Sequence, residues 1–181
     1  MTQTTPAAAP ARAASPRREV SDVDALAALS SAELDAVYRG GVLFDLDALD
    51  GAPRGRMLTV AGPLGHRPAR DALAAFARAG VFPWHGKSFQ STDAGHGRGI
   101  NRVILLGEKY PFETRVEPSA IDGAPCVRLD YGLAENPFFI RPIRDELRRV
   151  GPDLYLGPAM LERAARAPAL VLWFAIDASH R

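Results

Sequence analysis

The sequence predicts an α+β fold in which short N-terminal helices precede an antiparallel β meander or barrel. Apolar residues fall at helical spacing in the first third of the chain. From residue 86 onward, short β-compatible segments alternate with Gly, Pro and Asp turns, spaced about 8–12 residues apart as in all-β domains. With 181 residues and 47% hydrophobic content, the chain can bury one core rather than two, so 20–181 reads as a single barrel domain.

Residues 1–19 are rich in Ala, Pro, Thr and Arg without periodicity and read as a disordered tail. In "SDVDALAALSSAELDAVYRGG", Val23, Leu26, Leu29, Leu34 and Val37 lie at helical spacing. Ser30 or Ser31 caps this stretch and Gly40-Gly41 stops it, giving one short helix or two. A turn then feeds a short strand from Arg56 to Val60. A second helix is expected in "HRPARDALAAFARAGVFPW", with Pro68 in its first turn, Leu73 and Phe76 in its apolar stripe and Gly80 at its end.

The β region reads as "KSFQS", "GINRVILLGE", "PFETRVEP", "PCVRLDYG", "FFIRPIRDELRRV", "DLYLGPAML" and "PALVLWFAID". Phe112, Thr114 and Val116 share one face of their strand; Val127, Leu129 and Tyr131 share one face of the next, and Asp122-Gly123 between them is a hairpin signal. "ALVLWFAID" is apolar on both faces, as a central or closing strand would be. "GHGRG" (95–99) and "GPLG" (62–65) read as loops, since neither follows a strand and opens a helix as a phosphate cradle must.

The segment "RPIRDELRRVGPDLYLGPAM" (141–160) admits two readings. Ile140, Ile143, Leu147 and Val150 fit a helix, but Pro142 would interrupt it and strands flank it on both sides. A strand is the favoured reading. It places Ile143, Asp145 and Leu147 on one face and Arg144, Glu146 and Arg148 on the other.

Several pieces resemble the GXWXG-type bacterial domains. These are "GAPRGR" at 51–56, without a tryptophan between the glycines, "WHGKSF" at 84–89, "PIRDELRRVGPD" at 142–153 and "LYLG" at 154–157. The resemblance spans roughly 30–177 and implies an antiparallel calycin-like β-barrel or half-barrel with N-terminal helices. It implies no activity.

Charge excludes some functions. The net charge is +1, with the basic residues spread along the chain, so there is no large positive field to hold nucleic acid. No run approaches the roughly 18 apolar residues of a membrane span, and the N-terminus lacks a signal-peptide pattern. The expectation is a cytoplasmic protein, and an Arg-, Ala- and Pro-rich composition points to a GC-rich bacterial genome. The single cysteine, Cys126, reads as a core thiol. Neither His66, His85, His96 nor His180 has metal-cage spacing, His180 is a poor haem ligand beside the chain end, and no nucleophile elbow or catalytic triad pattern is present. No metal and no cofactor are expected.

Asp145 on an apolar strand face must be paired, hydrogen-bonded or shifted in pKa. Its expected partners are Arg128, Tyr131 or Tyr155. It either fixes strand register in an internal pair or serves as a ligand-orienting or acid–base group. Asn136 near a loop is a ligand contact at a barrel mouth or ordinary turn chemistry. Trp84, His85 and Lys87 around Gly86 line a cavity entrance, unless Lys87 snorkels over the rim.

The leading expectation is a barrel that binds an apolar or amphipathic small molecule, a lipid or specialised metabolite. Trp84, Lys87, Asn136, Arg128 and Tyr155 are the candidate ligand contacts. The alternative is a cofactor-independent isomerase, cyclase, dehydratase or lyase with Asp145 and Tyr131 as acid and base. A third reading is an interaction module with a filled barrel; pairing as a homodimer is left open.

Overall fold

The computed structural model describes residues 20–60, 84–103 and 107–179. The expected tail (1–19) and the helix expected before Trp84 lie outside the described residues, as do His66, His180 and "GPLG".

The described chain forms α1 (Val23–Ala27), α2 (Ser31–Gly40), a 3₁₀ turn (Leu46–Leu49) and eight strands. The strands are β1 (Arg54–Val60), β2 (Trp84–Ser91), β3 (His96–Val103), β4 (Gly107–Pro118), β5 (Pro125–Asp130), β6 (Ile143–Gly151), β7 (Leu154–Arg163) and β8 (Arg166–Asp177). They close a barrel in sequence order, every neighbouring pair antiparallel, with β1 paired to β8 from Arg54↔Asp177 to Val60↔Leu172. Closure leaves no sheet edge to protect.

Local chemistry explains the helices. Ser30 Oγ accepts from Glu33 N–H while Glu33 reaches back to the Ser30 N–H, a reciprocal capping box that starts α2. Both helices pack outside the barrel: Leu26, Leu29, Leu34 and Tyr38 cover Leu154, Leu156, Trp173 and Ala175. That cover is why β8 is apolar on both faces. Its alternate residues Leu172, Phe174 and Ile176 fill the interior. After α2, the chain turns in at the barrel end where β5 and β7 start. There it pairs Val42 with Arg149 and Gly51 with Phe89, and it inserts Phe44, Leu46 and Leu49 into the inner core.

β6 is a strand, and Asp145 lies inside the barrel between Leu129 of β5 and Ala159 of β7. Its outward residues are charged yet buried, Glu146 at 0% exposure and Arg148 at 1%. Glu146 accepts from Tyr38 Oη (2.8 Å), Ser119 Oγ (2.6 Å), Ala120 N–H (2.9 Å) and Arg144 Nε (2.7 Å). Arg148 donates to both oxygens of Asp122 and to the carbonyls of Ala124 and Pro125, and stacks on the Tyr38 ring at 4.5 Å. A strand buried on both faces with charge on one is what let its pattern also fit a helix.

"GHGRG" is not a loop throughout: β3 begins at His96 and contains Gly97 and Gly99. A Cβ on Gly99 would lie 2.3 Å from the Ser88 carbonyl oxygen and 2.4 Å from Phe112 Cζ. The glycine lets an aromatic ring lie directly on the strand, a use typical of glycine inside sheets.

Candidate functional site

Strand alternation brings four polar side chains together inside the barrel. Lys87 of β2 sits opposite Asn101 of β3 as a Cα pair, so both point inward. Tyr131 follows β5 on the face set by Val127 and Leu129, and Asp145 comes from β6. All four are buried, Lys87 and Asp145 at 3% exposure each.

Their hydrogen bonds account for nearly every donor and acceptor. The Lys87 ammonium donates to Tyr131 Oη at 2.6 Å and Asn101 Oδ1 at 2.7 Å, and lies 2.9 Å from Asp145 Oδ2. Three acceptors thus meet its three N–H groups. Asn101 Nδ2 donates to Tyr131 Oη and to the Tyr110 carbonyl, both at 3.1 Å. Tyr131 Oη then donates to Asp145 Oδ2 at 3.0 Å. Two buried polar atoms nearby have no hydrogen-bond partner among the described residues, Asp145 Oδ1 and Trp84 Nε1.

The rings of Trp84, Phe112, Tyr131 and Phe174 surround the ammonium, with centroids 5.2–5.3 Å from Nζ. A cation there is stabilised by ring quadrupoles as well as by Asp145. Burial nonetheless pulls the Lys87 pKa below its ordinary value, opposed by the charge and hydrogen bonding of Asp145. Burial also raises the Tyr131 phenol well above its ordinary value, and the Asp145 charge raises it further. Tyr131 is therefore a neutral donor to the carboxylate.

Beside this cluster lies a cavity of about 40 Å³, space for a few waters or one small group at about 10–15 Å³ per water. Met57, Ile143, Ala159, Leu172 and Phe174 supply its apolar wall; Trp84, Lys87, Asn101, Tyr131 and Asp145 reach it too. It occupies the half of the barrel away from the Phe44 plug. Trp84 is held by a close approach: a Cβ on Gly55 would sit 2.4 Å from its Cη2 atom. The indole also meets Phe174 edge-on at 5.7 Å. Gly86, at φ 135°, supports the register shift that follows Trp84. Tyr110, also on the cavity, takes φ 58° beside the irregularity at Ile100/Asn101.

Of the residues expected from sequence, Trp84, Lys87, Tyr131 and Asp145 meet at the cavity. Lys87 does not snorkel, because Asp145 supplies a counter-charge indoors. Arg128, Asn136 and Tyr155 are elsewhere. Arg128 points outward, as its odd register with Val127 and Leu129 requires, and bonds Glu117 and Glu162. Asn136 is buried but ties Pro111 O to Tyr131 O through its Nδ2, at 2.8 and 2.9 Å. Tyr155 packs edge-on against Phe44 at 4.5 Å, in the plugged half. Thus Asp145 pairs with Tyr131, as expected, and with Lys87, which was not expected as its partner. Asn101 and Tyr110 were missed. The signal for Asn101 was an amide alternating with Gly99 and Val103 on an otherwise inward face.

His96 bonds Asp93 on the surface at 3.0 Å. Among the described residues, no group of three or more His, Cys, Asp or Glu side chains could hold a metal. No helix among them is long and apolar enough to cross a membrane.

No family model matches the chain, and no curated protein does. Among solved structures, the chain is similar to a crystal structure of a protein from Thermomonospora curvata, 18% identical, covering 82% of this chain and 87% of that one at a TM-score of 0.44.

Proposed function

We propose that this chain is a calycin-like barrel of the GXWXG type that binds a small amphipathic molecule, its polar end against the Lys87–Tyr131–Asp145–Asn101 cluster and its apolar part along Met57, Leu172 and Phe174. One observation carries the reading: Asp145 lines the cavity and its Oδ1 is buried without a partner among the described residues, while every other polar group of the cluster is satisfied. An unmet buried acceptor costs about 1–3 kcal/mol, more when charged, and a ligand donor removes that cost. Up-and-down barrels of eight strands commonly hold one small ligand.

The same atom favours a second reading, the cofactor-independent isomerase, cyclase, dehydratase or lyase. Tyr131 and Lys87 fix Asp145 through Oδ2 and leave Oδ1 available to take a proton, with the Tyr131 phenol as the acid nearby.

Native mass spectrometry of the purified protein tests both. Binding predicts a discrete added mass on the wild type that disappears in a folded Lys87→Met/Asp145→Leu variant. Once that molecule is identified, conversion by the wild type, abolished in Asp145→Asn with binding retained, supports the enzyme. An adduct that persists in the folded double variant rejects both.

A further inference from the structure

We infer that the polar end of the occupant is an uncharged hydroxyl group, donating to Asp145 Oδ1 and accepting from Trp84 Nε1. The inference rests on the binding reading above and names its ligand class.

Charge balance comes first. Lys87 and Asp145 neutralise each other at 2.9 Å beside a cavity whose other lining residues are uncharged. An added ionic group would leave a net charge where burying one is most costly. An anionic head such as a carboxylate would also meet the unpaired oxygen of Asp145 and find no free cation among the described lining residues, because all three Lys87 N–H groups already have acceptors. An ammonium would satisfy Asp145 Oδ1 but add a second cation close to Lys87, in a ring of aromatics that already encloses one.

Hydrogen-bond polarity comes second. The two unpartnered atoms on cavity-lining residues are one acceptor, Asp145 Oδ1, and one donor, the Trp84 indole N–H. An alcohol or phenol oxygen is both donor and acceptor, so a single group could serve both. An ether or ketone could meet Trp84 only and would leave the carboxylate oxygen unmet. The cavity's volume of about 40 Å³ matches a head of this size better than a sugar or phosphate.

The test uses full-length ¹⁵N-labelled protein and four six-carbon probes with different ends: 1-hexanol, hexanoate, hexylammonium and hexane. The two indole N–H resonances are the readout. Trp173 donates to Ser31 Oγ at 3.1 Å and serves as internal reference, while Trp84 reports on the cavity. The expected result is saturable movement of the Trp84 resonance by 1-hexanol, with affinity at least about tenfold above each of the other three probes. In the Lys87→Met/Asp145→Leu variant, checked for folding by the unmoved Trp173 resonance, the advantage of hexanol over hexane should fall below about threefold. Tighter binding of hexanoate or hexylammonium, or equal binding of hexanol and hexane, overturns the hydroxyl assignment. Silence of all four probes while a native adduct without a hydroxyl is present overturns the assignment and leaves the binding reading standing. Silence with no adduct overturns both.

Discussion

The Lys87–Asp145 pair allows a sharp energetic test, because removing one partner should cost more than removing both. In Asp145→Leu, the Lys87 ammonium keeps Tyr131 Oη and Asn101 Oδ1 but loses its only counter-charge among the described residues, at 3% exposure. In Lys87→Met, Asp145 keeps the Tyr131 bond at 3.0 Å and loses its cation. Breaking a buried pair in this way costs about 3–5 kcal/mol. The double variant removes both desolvation penalties. It leaves Tyr131 and Asn101 bonded to each other at 3.1 Å but short of one acceptor and one donor, at about 1–3 kcal/mol for the two together if they partly re-pair. The double variant should therefore be more stable than either single, and the coupling energy should exceed about 3 kcal/mol. Equilibrium urea denaturation at neutral pH, followed by tryptophan fluorescence with the slope held in common, measures all four corners of the cycle. Single variants that cost under about 1 kcal/mol, or costs that simply add, would refute the claim that this pair is buried and mutually dependent.

Other expectations follow from the same contacts. Burial pushes the Cys126 thiol up to about 12 from an ordinary 9.0, with the Glu146 charge adding to it. The folded state thus keeps a proton that the unfolded chain releases above pH 9, so stability falls with rising pH. Denaturation midpoints from pH 8 to 11 should show that decline flattened in Cys126→Ala, and native wild type should resist iodoacetamide. Burial alone would raise Glu146, but Ala120 N–H, Ser119, Tyr38 and Arg144 hold it below its ordinary 4.5. Its contribution is present above that pH and lost as pH falls through the lower folded value, so Glu146→Gln should flatten the acid limb of the same profile. Gly99→Ala drives a methyl into Ser88 O and Phe112 and should cost about 1–3 kcal/mol or more, read as a shift in urea midpoint. Ser30→Ala removes the α2 cap and should cost about 1 kcal/mol by the same measurement.

How much of this was legible in the sequence depends on which periodicity governed each stretch. Period-two alternation located β4 and β5 and the inward placement of Leu129 and Tyr131, because one face of those strands is apolar and the other meets solvent or salt. The capping signal at Ser30 was readable because capping is local. β6 was ambiguous for a tertiary reason. Its outward charges are buried by Tyr38 and by the 119–124 turn, contacts that span 108 positions in the case of Tyr38 and Glu146. A pattern argument cannot see a helix arriving from that distance. The charged partner of Asp145 was missed for a related reason. Arg128 is its neighbour on the adjacent strand, but register puts Leu129 opposite Asp145 and turns Arg128 outward, where Glu117 and Glu162 take it. Lys87, 58 positions before Asp145, reaches it only because the barrel closes.

The two buried charge networks of β6 differ in how fully their carboxylates are bonded. On the outer face the cations are arginines, Arg144 and Arg148, whose fixed forks match carbonyls and carboxylates and can tie three chain segments together. Both oxygens of Glu146 there are bonded, so this carboxylate has no oxygen left over. On the inner face the cation is a lysine. Its ammonium needs three acceptors rather than five and finds all three in Asn101, Tyr131 and Asp145. Because one Asp145 oxygen takes both the Lys87 and Tyr131 bonds, the other is left over. A network evolved only to fix register could have used both oxygens, as the outer one does for Glu146. The asymmetry at Asp145, a residue lining the cavity, is the feature on which the proposed binding role rests.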